Sequence, residues 1–108
     1  MSLRGETTAA VERQLRPRLR DNPQMTDVAT ALHLSERTLR RQLAEEGTSF
    51  SAVHDRVRTE RALELLQDAE TTIASVGSQI GFNDVREFRR AFKRWTGHTP
   101  SETRRSPA

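Results

Sequence analysis

Cysteine is absent from this chain, which excludes a disulfide framework, a thiolate zinc site and a cysteine nucleophile, and points to a reducing compartment. No run approaches the roughly 18 consecutive apolar residues that a membrane span needs, and no apolar stretch follows Met1 to serve as an export signal. No phosphate-cradling glycine loop or nucleophile motif is present. His33, His54 and His98 are too scattered to pair on one helix as metal ligands, and read as a turn residue, a helix-surface residue and a loop residue. Asp27, Asp55 and Glu60 read as surface charges or arginine partners. With 108 residues the chain is too short for a barrel or a doubly wound enzyme. Together these absences speak against an enzyme, a metal site or a cofactor, and place the chain in the cytoplasm.

Lysine is nearly missing as well. Lys93 is the only one, so arginine provides the other 17 of 18 basic residues. A guanidinium offers a fixed fork of donors that suits phosphate and guanine, although a GC-rich genome would also write arginine. Position has to decide between these.

Leu, Ile, Val and Phe number 22 of 108 residues, near the range of disordered chains. Net charge is only +3, however, and the apolar residues recur at helical spacing, so the chain is expected to fold around a thin core. No segment alternates with period two, and the fold expected is all-α, with about seven helices. Val11, Leu15 and Leu19 mark a first helix that Pro17 should kink. Met25, Val28, Ala29 and Leu32 form the inner face of a second. Ser35 caps a third that carries Leu39 and Leu43 and ends near Gly47. Thr48-Ser49 opens a long helix with Phe50, Val53, Val57, Ala62, Leu65 and Leu66 on one face, about 25 Å in length. Thr72 caps a helix with Ile73, Val76, Gly77 and Ile80. Asp84 and Glu87 form a capping box for a helix that keeps Phe88, Phe92 and Trp95 inside, and Thr99-Pro100-Ser101-Glu102 opens a last short one. The expected organisation is a first helix-turn-helix subdomain at 7–47, a linker helix at 48–68 and a second subdomain at 69–105. Residues 1–6, starting Met1-Ser2-Leu3, read as disordered or left by expression of a piece of a longer protein, and 106–108 as a tail.

An internal repeat carries the functional signal. Val28-Ala29-x-x-Leu32-His33-Leu34 matches Val76-Gly77-x-x-Ile80-Gly81-Phe82, and one residue later in register Leu39 and Leu43 match Phe88 and Phe92. An apolar pair four apart, a small residue beside it and a short turn let one helix cross closely over the next, as in a helix-turn-helix. The charges repeat too: Arg37, Arg40 and Arg41 correspond to Arg86, Arg89 and Arg90. At about 100° per residue each trio clusters on one side of its helix, opposite the apolar pair. A merely solvated face usually mixes signs for i,i+4 pairing. Here only Glu36 and Glu87 intervene, both in a first turn where the helix dipole favours them. The repeat therefore points to two arginine-faced helices that enter successive major grooves of double-stranded DNA, about 34 Å apart.

The stretch Ile80-Gly81-Phe82-Asn83-Asp84, then Phe88-Arg89-Arg90-Ala91-Phe92-Lys93-Arg94-Trp95-Thr96-Gly97-His98-Thr99-Pro100, closely resembles the signature of the arabinose-regulator (AraC/XylS) family of bacterial transcription factors. Leu34-Ser35-Glu36-Arg37-Thr38-Leu39-Arg40-Arg41-Gln42-Leu43, Gly47-Thr48-Ser49-Phe50 and Val57-Arg58 are similar to its first half. The resemblance implies seven helices in two helix-turn-helix subdomains, with the third and sixth helices reading the major groove. It puts Arg37, Arg40, Arg41, Val85, Arg86, Arg89 and Arg90 on the DNA-facing sides. It further implies a nucleoid-bound activator that contacts RNA polymerase, needs no cofactor and is preceded by an effector or dimerisation domain outside this chain. Three positions depart from the family's pattern: Gly77 replaces the usual Ala and should loosen the second unit, His33 replaces a turn Gly and should sit at positive φ, and Thr103 replaces Tyr. The competing reading is a protein-interaction module that keeps the fold without reading DNA. Asp84 is expected to be a structural cap and not a DNA ligand, because its charge opposes phosphate.

Overall fold

Pro17 cannot donate a backbone hydrogen bond, and the first helix stops short of it. In the computed structural model of the protein, which describes residues 5–105, α1 spans Glu6–Leu15. A 3₁₀ stretch, Arg16–Asp21, follows, and its non-helical residue is Arg18, so the break expected at Pro17 falls one residue later. Next come α2 (Met25–Ala31), α3 (Glu36–Glu45), α4 (Phe50–Leu66), α5 (Ile73–Gln79), α6 (Val85–Thr96) and α7 (Pro100–Arg105). Every regular element among the described residues is helical, as expected. None of these helices is long and apolar enough to cross a membrane. Of the segment expected to be disordered, 1–4 lie outside the described residues, as does the whole expected tail, 106–108. Gly5 and Glu6 differ from that expectation, being the N-cap and the first residue of α1.

The helix starts follow from local chemistry. Ser35 Oγ accepts the N–H of Thr38 at 3.1 Å, Ser49 Oγ that of Ala52 at 3.1 Å and Thr72 Oγ1 that of Ser75 at 3.0 Å. Thr99 and Glu102 close the reciprocal box, at 3.1 Å and 2.8 Å. Asp27 is a cap as well as a surface charge, since its Oδ2 accepts the N–H of Gln24 at 2.9 Å. His33 takes the left-handed conformation expected of it, φ 59°, between α2 and α3.

Two compact units make up the described residues, the first from 5–18 with Pro23–Val57, the second from Leu19–Asn22 with 58–105. The boundary lies inside α4 and not at its ends, because Val53 and Val57 join the first core and Ala62 and Leu66 the second. In the first unit Val11, Leu15, Val28, Ala29, Leu39 and Leu43 complete the core, whereas Met25 and Leu32, expected inside, are half-buried. Glu12 is only 4% exposed and is paired with Arg16 at 3.4 Å and Arg56 at 3.5 Å. Only the carboxylate is buried; the side chains of Arg16 and Arg56 are 55% and 38% exposed, so two solvated cations neutralise one sheltered anion. His54, expected on the helix surface, is buried, its ring 5.7 Å from that of Phe50.

The start of α1 is held from a distance. Glu46, the C-cap of α3, accepts the N–H groups of Thr7 (3.0 Å) and Thr8 (2.8 Å) and the Thr8 hydroxyl (2.6 Å). A Cβ on Gly5 would collide with that carboxylate, so Gly5 leaves room for it. Burial pushes the Glu46 carboxyl up, but the hydrogen bonds from Thr8 and Thr7 together outweigh it and hold the group below its usual range.

In the second unit Val76 of α5, Ile80 that caps its end, and Phe88, Ala91 and Phe92 of α6 are buried with Leu19, Ala62, Leu66 and Pro100. Gly81 turns between α5 and α6 at φ 104°, with the Leu19 carbonyl 2.6 Å from where a Cβ would stand. The Arg58 guanidinium lies over both the Phe82 and the Trp95 rings, 5.0 Å from each centroid. Trp95, expected inside, is therefore only half-buried, sharing its faces with an arginine instead of the apolar core. Arg104 donates from Nε to the Leu66 carbonyl and from Nη2 to that of Asp68, both at 3.1 Å, satisfying acceptors at the end of α4.

Candidate nucleic-acid interface

Each unit presents one helix of strongly divided character. In α3, Leu39 and Leu43 are fully buried while Arg37, Arg40 and Arg41 are exposed. In α6, Phe88 and Phe92 are fully buried and Ala91 nearly so, while Arg86, Arg89 and Arg90 are exposed, joined by Lys93 and Arg94 in the last turns. Val85, at the first turn of α6, is half-buried. Each trio thus shares the outer side of its own helix, and none of the six guanidiniums is drawn into a core. Long arginine stems on a rigid, well-packed helix give donors a defined origin with freedom to adapt at the tip.

The six arginines are not equivalent. Arg41 Nη1 pairs with Glu45 at 2.8 Å, one turn further along α3. Arg86 is held by Asp84, which precedes α6. Asp84 Oδ1 accepts the backbone N–H of Arg86 at 2.8 Å. This cap uses the residue two ahead, in place of the expected box with Glu87. The backbone hydrogen bond from Arg86, followed by that from its side chain, holds the Asp84 carboxyl below its usual range. Arg37, Arg40 and Arg89 have no ion-pair partner among the described residues, whereas Arg90, though not in direct contact, stands close enough to Asp84 to help lower its carboxyl.

The roles of Glu45 and Asp84 toward the arginines were not read from the sequence. For Glu45 the i,i+4 spacing from Arg41 was the available signal; for Asp84 the capping role concealed the second one. Among the described residues no group of three or more His, Asp or Glu side chains is placed to hold a metal ion.

Residues 28–106 match the model of a helix-turn-helix domain family. Over 97 residues the chain is 41% identical to the ornithine utilization regulator of Pseudomonas aeruginosa, covering 90% of this chain and 29% of that protein. The chain spans about a quarter of the length of the curated relatives it matches. A crystal structure of a DNA-binding transcriptional dual regulator from Escherichia coli K-12 superposes with a TM-score of 0.90 at 26% identity, covering 97% of this chain and 95% of the other. At the level of fold alone, a transcriptional regulator from Chromobacterium violaceum, described as of the AraC-type DNA-binding-domain class, matches with a TM-score of 0.83 at 24% identity, over 94% and 95% of the two chains.

Proposed function

From a chain that belongs to the AraC-type helix-turn-helix family of transcriptional regulators, we propose sequence-specific binding of double-stranded DNA, with α3 and α6 each laid into a major groove and the two grooves successive. The observation that supports this best is the repeated division of α3 and α6 into a buried apolar side and an exposed arginine side. A core needs the first side; nothing in folding needs the second. Arg37, Arg40, Arg41, Val85, Arg86, Arg89 and Arg90 are the proposed contact residues. Their guanidiniums divide between phosphate, which positions the protein, and guanine edges, which specify the site.

The whole protein is proposed to act on the nucleoid in the cytoplasm as an activator, with RNA polymerase as its partner and an effector or dimerisation domain ahead of this one. Regulation of transcription fits the names of the relatives, among them an ornithine utilization regulator.

Selection of binding sites from a random duplex pool tests the reading. Enrichment of an asymmetric site with two blocks about one helical turn apart is expected. Failure to enrich any sequence would overturn it in favour of a protein-interaction module.

A further inference from the structure

Asp84 grips the guanidinium of Arg86 along one edge: Oδ1 lies 3.4 Å from Nε and Oδ2 lies 3.3 Å from Nη2. A guanidinium carries five N–H donors in a plane. With Nε and one proton of Nη2 turned to the carboxylate, both protons of Nη1 and the second of Nη2 point away. Together they form a second fork, of the shape that fits O6 and N7 of guanine. The arginine side chain is 81% exposed, so this fork is open to a partner.

Charge argues for the kind of partner. Phosphate attracts an arginine by net charge and releases counterions when it is neutralised. An arginine already paired with a carboxylate has little net charge to offer, and the carboxylate repels a phosphate placed beside it. A base edge is a neutral partner that asks for donors in fixed directions. In water so exposed a pair contributes little to stability. Its effect lies in restricting the rotamers of Arg86 before DNA arrives, which lowers the cost of ordering on binding. Arg86 is also the second residue of α6, in the N-terminal turn from which a recognition helix reaches base edges.

We propose that Asp84 is a specificity-determining residue, which holds Arg86 by one edge and so commits it to guanine in preference to phosphate. The inference rests on the proposed reading of DNA by α6.

The test uses the duplex selected by the unaltered chain and its single-base variants, with affinities measured by fluorescence anisotropy. Arg86→Ala is expected to weaken the selected duplex about 5- to 100-fold and to level the preference at one G·C pair. Asp84→Asn keeps a cap of equal quality but loses the charge. It is expected to reduce the preference at that same pair several-fold while raising affinity for a random duplex. Asp84→Ser, a second cap-competent variant, should do the same, with helicity and thermal midpoint confirming that each variant folds. If Arg86→Ala levels one pair and both Asp84 variants leave it intact, the inference is overturned and DNA reading stands. If Arg86→Ala weakens every duplex alike, Arg86 is a phosphate ligand and the inference is overturned, while reading by the other residues of α6 stands.

Discussion

Gly77 and Phe88 exclude each other's side chains: a Cβ on Gly77 would stand 2.9 Å from Cγ and Cδ2 of Phe88, closer than real Cβ atoms come. The glycine that departs from the family's alanine is therefore a packing residue, which lets α5 lie directly on the fully buried ring of Phe88. The repeat shows the same trade in sequence, with Ala29 and Leu39 where the second unit has Gly77 and Phe88.

Replacing Gly77 by Ala sets two effects against each other. Helix propensity favours Ala by about 1 kcal/mol, whereas overpacking a filled core costs about 1–3 kcal/mol. Phe88 is fully buried, so packing should win, with a net loss of about 1–2 kcal/mol in urea unfolding followed by circular dichroism. Adding Phe88→Leu should recover part of the loss, and a Gly77→Ala variant more stable than the parent would contradict this account.

The Arg58 guanidinium between Phe82 and Trp95 should contribute about 1–2 kcal/mol, as a partly desolvated cation on two rings. Trp95 is the only Trp, so its fluorescence reports this cluster directly. Arg58→Met is expected to lower the unfolding midpoint and shift the emission, and Arg58→Lys to do so less. An unchanged spectrum for both would show that the rings do not depend on the cation.

Glu46 gives the first unit an acid sensitivity of predictable sign. Its carboxyl is held below the usual range by the hydrogen bonds from Thr8 and Thr7, which outweigh burial. A group depressed on folding adds stability that is complete above its unfolded value, 4.5, and is lost as pH falls through the lower folded one. Unfolding free energy should therefore drop below about pH 4.5, and Glu46→Gln should flatten that drop while costing about 1 kcal/mol at neutral pH. Denaturant titrations at several pH values decide it.

Among the proposed contact arginines, Arg41→Ala and Arg90→Ala are each expected to cost about 1–3 kcal/mol of binding and to relax one base position. The unaltered chain should lose log-affinity with log-salt at about −0.9 per phosphate neutralised, five to eight of them in all. Uniform weakening across all sequences would assign the replaced arginine to phosphate, and a salt-independent affinity would remove DNA from consideration.

What could be read from the sequence was local or repeated. Ser35, Thr72 and the Thr99/Glu102 box act over three residues, and the positive φ of His33 was legible because the resembled family's pattern has a turn glycine at that position. The arginine trios were visible because they recur at one offset beside a recurring apolar pair. Glu46 was hidden because its acceptors serve Thr8, 38 residues earlier, and no window spans that distance. His54 was misplaced because a half-apolar ring tolerates either side of a helix. Gly77 looked like a weakness, since propensity is written in the residue itself and its neighbour Phe88 is not.

The excursion of Leu19–Asn22 into the second unit makes the thread of the chain recross before the first unit is finished. No single cut yields both units whole: a fragment beginning in α4 would lack the Leu19 carbonyl that closes over Gly81. On the ribosome those four residues emerge long before their neighbours, and must wait, unsheltered, for the rest of their own half to be made.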